Sequence, residues 1–138
     1  MQTLKFTRAD DQPANGTGLE GEPKLDLSHL LGTWWSTDKA TRGIRKLVLS
    51  EENGTLMVHG FGACLPELCD WGKVPAVPYA ANVTSREAMS FTSCYDFGFM
   101  ETTLAVYMKG GILVLDSFNA FKDSSGRSDY FTREFYHT

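Results

Sequence analysis

The sequence predicts an all-β protein, an eight-stranded antiparallel up-and-down barrel. Three observations point there. From Leu30 onward the apolar stretches are short and often alternate with polar residues, without a sustained 3.6-residue pattern. Turn-forming clusters separate these stretches, above all Asn53-Gly54 and Gly110-Gly111. Nine Phe, five Tyr and three Trp supply the large, strand-favouring side chains that such a sheet packs.

The elements follow in order. Residues 1–25 are polar and rich in Gly, Asp, Glu and Pro, and read as a flexible lead-in with one short strand near residues 4–7. Residues 26–138 read as a single domain, large enough to bury a core without disulfide or metal staples. Asp26 precedes Leu27-Ser28-His29-Leu30 as the cap of one helical turn. Eight strands are then expected over residues 31–38, 43–50, 55–63, 73–80, 88–95, 99–109, 111–121 and 128–137. Asn53-Gly54 supplies the positive φ values of a primed hairpin turn. Lys109-Gly110-Gly111 and Asp123-Ser124-Ser125-Gly126 mark two further turns. Short links make sequential strands antiparallel neighbours. Eight such strands give a sandwich or a barrel. Closure removes the exposed edges, and the two long strands at 99–109 and 111–121 suit a tilted barrel wall. A barrel of eight strands is either filled by its own side chains or holds one small ligand.

Composition excludes several functions. The net charge is −4 and no Lys/Arg cluster offsets it, which argues against nucleic acid and against an anionic membrane surface. No apolar run approaches the roughly 20 residues that span a bilayer. The first residues lack the apolar core of a secretory signal, so the expected location is cytoplasmic. The three cysteines, Cys64, Cys69 and Cys94, accordingly read as reduced thiols. Cys64 and Cys69 leave two other readings open, a disulfide pinning their loop or a metal site completed by His59 or Cys94. Phosphate-loop, dinucleotide, zinc-protease and nucleophile-elbow motifs are absent, and three histidines are too few for a multi-histidine centre. Neither a cofactor nor a metal is expected.

Gly32-Thr33-Trp34 resembles the Gly-x-Trp that opens the first strand of lipocalins and related calycin barrels. In that family the Trp plugs the closed end of the barrel and an Arg from the last strand packs across it. The resemblance implies these roles for Trp34 and Arg133. It also implies kinship with small intracellular lipocalin-like cyclases and isomerases of microbial natural-product biosynthesis.

Period-two alternation then sorts the candidate site residues. With Trp34 inward, Ser36 and Asp38 follow, and Arg45 lies on the face of Leu47 and Leu49. Met57, His59 and Phe61 share a face. Gly60 and Gly62 lie on the opposite one, small enough for a bend or a close approach. Phe91 and Tyr95 share a face of the fifth strand, and Met100 opens one face of the sixth. Asp38 and Arg45 are candidates to orient a substrate, because Arg offers a fork of donors. His59 or Tyr95 would move a proton. Trp34, Met57, Phe61, Trp71, Phe91, Met100, Asp116 and Arg133 would contact the substrate, with Trp71 covering it from a lid at residues 64–72. Asp116 and Glu134 interrupt otherwise apolar strands. Inside the barrel such a carboxyl could move protons, and the blander reading, favoured by alternation, puts both in solvent. The expected activity is cyclisation or isomerisation of an apolar small molecule. The alternative is a non-catalytic carrier or sensor of a hydrophobic small molecule. A homodimer through exposed Trp35 is a further expectation.

Overall fold

A computed structural model describes residues 24–138. Of the expected lead-in at residues 1–25, residues 1–23, with the strand at 4–7, lie outside them. Eight strands follow in order: β1 (Gly32–Ser36), β2 (Ile44–Glu52), β3 (Thr55–Gly62), β4 (Cys69–Ala80), β5 (Ala88–Asp96), β6 (Met100–Lys109), β7 (Ile112–Phe121) and β8 (Tyr130–His137). They close into a barrel in sequence order, every neighbour antiparallel. The up-and-down barrel expected from the sequence is therefore the fold. The difference lies at strand ends. β4 begins at Cys69 rather than Lys73, because Asp70 and Cys69 pair with Phe61 and Gly62.

Turn chemistry sets the register. Asn53 and Gly54 both take positive φ, 53° and 81°, in the β2–β3 hairpin. Gly110 and Gly111 do the same between β6 and β7, at 61° and 81°. Asp26 caps a single turn as expected, its Oδ1 accepting from the Ser28 N–H at 2.9 Å. That turn brings Leu27 and Leu30 under one end of the barrel, called here the lower end, where both are buried. The Trp34 indole N–H donates to the Leu30 carbonyl at 2.9 Å, so the tryptophan plugs this end with its polar atom satisfied.

The lower half is filled. Leu47 and Leu49 of β2, Leu56 and Val58 of β3, Phe91 of β5, Leu104 and Val106 of β6 and Leu113 of β7 converge on Trp34 in one continuous apolar cluster. The inward face of β7 then changes character, reading Leu113, Leu115, Ser117 and Asn119 toward the upper end.

Closure is the weakest part of the ladder. β1 and β8 meet through two residue pairs, Trp35 with His137 and Ser36 with Tyr136. One further bond runs from the Thr37 N–H to the Phe135 carbonyl. Beyond it the chain leaves β1 into residues 37–43, which lie opposite the inward side chains of β8.

Candidate functional site

The upper half holds a cavity of about 250 Å³. Its floor is apolar, made by Ile44 and Leu115, with Trp71 at one side and Met100 beyond Thr102 toward the upper end. Its wall is polar, made by Thr102, Ser117, Asn119, Thr132, Glu134 and Tyr136, with Arg42 and Tyr130 at the rim. These side chains come from alternate positions of β6, β7 and β8, the same inward faces that carry the apolar core below.

The polar wall is hydrogen-bonded in series. The Thr102 hydroxyl donates to Asn119 Oδ1 at 2.7 Å, and Asn119 Nδ2 lies 3.2 Å from Ser117 Oγ and 3.4 Å from the Tyr130 carbonyl. A carbonyl can only accept, which orients the amide. Ser117 and Thr132 share a bond of 2.5 Å between their hydroxyls. On the neighbouring stretch of β8, Glu134 takes the Thr41 hydroxyl on Oε1, and its Oε2 lies 2.8 Å from the Tyr136 hydroxyl. That hydroxyl also lies 2.7 Å from the Ile44 carbonyl, so two acceptors share its one proton. Burial, and then the nearby Glu134 carboxylate, push the Tyr136 hydroxyl well above its ordinary ionisation range, so it acts as a neutral donor. Gly43 lies against this carboxylate, and a β-carbon there would sit 3.5 Å from Oε1.

Trp71 enters the barrel through a bulge. Between the His59–Lys73 and Phe61–Asp70 pairs, β4 spends two residues, Trp71 and Gly72, opposite Gly60 alone. Gly72 takes φ of 82° to make the bend. The Tyr95 hydroxyl closes the gap: it accepts from the Gly60 N–H at 2.9 Å and donates to the Gly72 carbonyl at 2.8 Å. Burial raises the Tyr95 hydroxyl above its usual range as well. Gly60 and Gly62 are buried and face inward, and a β-carbon on Gly62 would come within 2.6 Å of the Trp71 indole nitrogen. Phe97 and Tyr95 complete an edge-to-face cluster around Trp71, with centroids 5.2 and 5.5 Å away.

Of the residues singled out from the sequence, Trp71 and Met100 line this cavity. Trp34 and Phe91 belong to the filled lower core. The others sit elsewhere, and the reasons are physical. β3 runs in the opposite register from the one expected, because Leu56, Val58, Gly60 and Gly62 point inward. Met57, His59 and Phe61 therefore face outward. His59 stacks on Phe61 and its Nε2 lies 2.6 Å from Asp70 Oδ1. A bulge between Ile44 and Lys46 turns Arg45 outward, where it packs over Trp35 and donates to the Ser36 carbonyl at 2.9 Å. Asp38 caps its own loop, accepting from the Ala40 N–H at 2.9 Å. Arg133 also faces out and forms a two-pronged ion pair with Asp116, at 2.7 and 3.0 Å, so it does not cross Trp34. The lid is shorter than expected and carries a disulfide between Cys64 and Cys69, in place of two thiols. Residues 69 to 72 of it belong to β4, and Trp71 is a wall residue of the barrel. Glu134, expected in solvent, is the acidic group of the cavity; counting by twos from buried Tyr136 finds it.

No family model, curated protein or solved structure matches the chain. Among the described residues no helix is long and apolar enough to cross a membrane.

Proposed function

We propose that this chain is a small-molecule-binding barrel whose ligand occupies the upper cavity, with its apolar part against Trp71, Met100 and Leu115 and its polar part on the wall of β7 and β8. The carrying observation is that the barrel is packed solid around Trp34 and open above Leu115, where the inward residues turn from apolar to hydroxyl, amide and carboxyl. A volume near 250 Å³ lies just below the roughly 300–1,000 Å³ of drug-sized sites, so the ligand is small. The lipocalin-like kinship suggested by Gly32-Thr33-Trp34 belongs to this reading, supported by the plugging role of Trp34 and without help from Arg133. The test is mass spectrometry of small molecules co-purifying with the protein, followed by fluorescence titration of the recovered compound. Binding that changes the emission of the native protein and is silent in Trp71→Phe supports the reading. A compound that binds with the cavity amide NMR signals unmoved overturns it.

A second reading, catalysis of an isomerisation or cyclisation, is favoured by one observation: Glu134 sets a carboxyl group, oriented by Thr41 and Tyr136, on the cavity wall. Glu134→Gln that binds the recovered compound as tightly as the native protein, while turnover of its precursor falls at least about a hundredfold, is the expected result. Equal turnover in the two proteins removes it. The Cys64–Cys69 bond favours an oxidising compartment over the cytosol. Thiol alkylation of the natively purified protein is expected to label Cys94 alone.

A further inference from the structure

Proton counting around the cavity names the kind of head group it takes, an inference that rests on the ligand-binding reading above. Thr102 uses its one proton on Asn119, and Asn119 directs its two N–H groups to Ser117 and the Tyr130 carbonyl. Ser117 and Thr132 hold two hydroxyl protons and share one bond, so one O–H donor is left over. On the inward face of β8, two residues further on and about 7 Å along the strand, stands Glu134. A carboxylate has about four lone-pair positions. Thr41 takes one, and Tyr136 takes at most one while it also serves Ile44. Among the described residues no lysine, arginine or histidine forms an ion pair with Glu134. The cavity thus carries a half-buried carboxylate without a paired cation and with acceptor capacity to spare, beside a single spare donor and above an apolar floor. Arg45, whose charge reaches the Tyr136 hydroxyl, is engaged on the outer face with the Ser36 carbonyl and the Trp35 ring. Arg42 lies at the exposed rim, where water screens its charge more than that of Glu134.

We infer that the ligand is a small organic cation, an ammonium or amidinium on an apolar body, whose N–H groups donate to Glu134 while the body lies against Trp71 and Leu115. Charge-assisted bonds of this kind are about twice as strong as neutral ones, and the matched head group gains accordingly.

The test uses three probes of one shape: benzylamine, benzyl alcohol and benzoate, titrated at neutral pH into the full-length protein and followed by amide NMR shifts at Ser117, Asn119 and Thr132. Benzylamine is expected to bind about tenfold or more tighter than benzyl alcohol, with benzoate weakest. Glu134→Gln is expected to erase the preference while benzyl alcohol binds both proteins alike. The ranking on the native protein stands by itself if the variant does not fold. Benzyl alcohol or benzoate shifting these amides as strongly as benzylamine overturns the cationic ligand and leaves the binding cavity in place. Failure of all three to shift them at millimolar concentration counts against both.

Discussion

The two halves of this barrel are built from the same eight strands by opposite rules. Below, the inward positions around Trp34, from Leu47 and Leu49 to Leu104, Val106 and Leu113, form one packed apolar cluster, and buried Ser93 at its edge is satisfied by the Pro75 carbonyl. Above, the same faces of β6 and β7 present Thr102, Ser117 and Asn119, and space is left over. A dry, close-packed interior gains from each buried methylene. A polar wall gains little net stability from its hydrogen bonds, because water would satisfy those groups in the unfolded chain. The contrast assigns stability to the lower half and, on the binding function proposed above, selectivity to the upper one.

Substitutions can break that division. Phe91→Ala, in the filled half, is expected to cost about 3–5 kcal/mol, read as a lowered denaturant midpoint, and to leave the upper-cavity residues in place once folded. A loss under about 1 kcal/mol would mean the lower half is looser than its packing indicates. Gly62→Ala strikes the junction. Its added carbon collides with the Trp71 indole, so a cost of about 1–3 kcal/mol and a shifted tryptophan emission are expected together. Unchanged emission would place Trp71 away from β3. Thr132→Val probes the polar wall and removes one hydroxyl of a pair that already has a proton to spare. A change of about 1 kcal/mol or less in stability is expected, with a larger effect on the affinity of any cavity ligand. The smallest effect concerns the outer face. The Gly72 N–H, and then His59, hold the Asp70 carboxyl below its usual range, so this carboxylate is stabilised by folding. Its contribution is complete above the ordinary aspartate range and is lost as pH falls through the lowered folded value. An NMR titration of Asp70 is expected to show a depressed midpoint that returns toward the ordinary value in His59→Ala to a lesser degree than when the Gly72 bend is removed.

The fold was legible in the sequence because its signals are local. Asn53-Gly54 and Gly110-Gly111 dictate their hairpins whatever surrounds them, and Trp34, Leu47, Phe91 and Leu104 announce their faces by alternation. The site was less legible because it depends on exceptions to alternation. Two bulges, at Arg45 and at Trp71-Gly72, turn a predicted inward arginine out and a predicted lid tryptophan in. On β3 the eye follows the large residues Met57, His59 and Phe61, yet the informative ones are Gly60 and Gly62, whose missing side chains make the room that Trp71 fills. On β8 the exposed Phe131 and Phe135 suggest the wrong inner face, and only Tyr136 betrays the right one.

The two-pair seam between β1 and β8 has a consequence for how the protein is made. Each hairpin from β1 to β8 closes a short loop, but the seam joins Ser36 to Tyr136, positions about a hundred residues apart, and so bears the largest loop-closure entropy in the sheet. The links from Thr41 to Glu134 and from Tyr136 to the Ile44 carbonyl, which complete the cavity wall, are made only at that step. The contacts of residues 41–44 with the carboxyl of Glu134 and the phenol of Tyr136 are thus the last part of the cavity wall to form and the first to part when the seam opens.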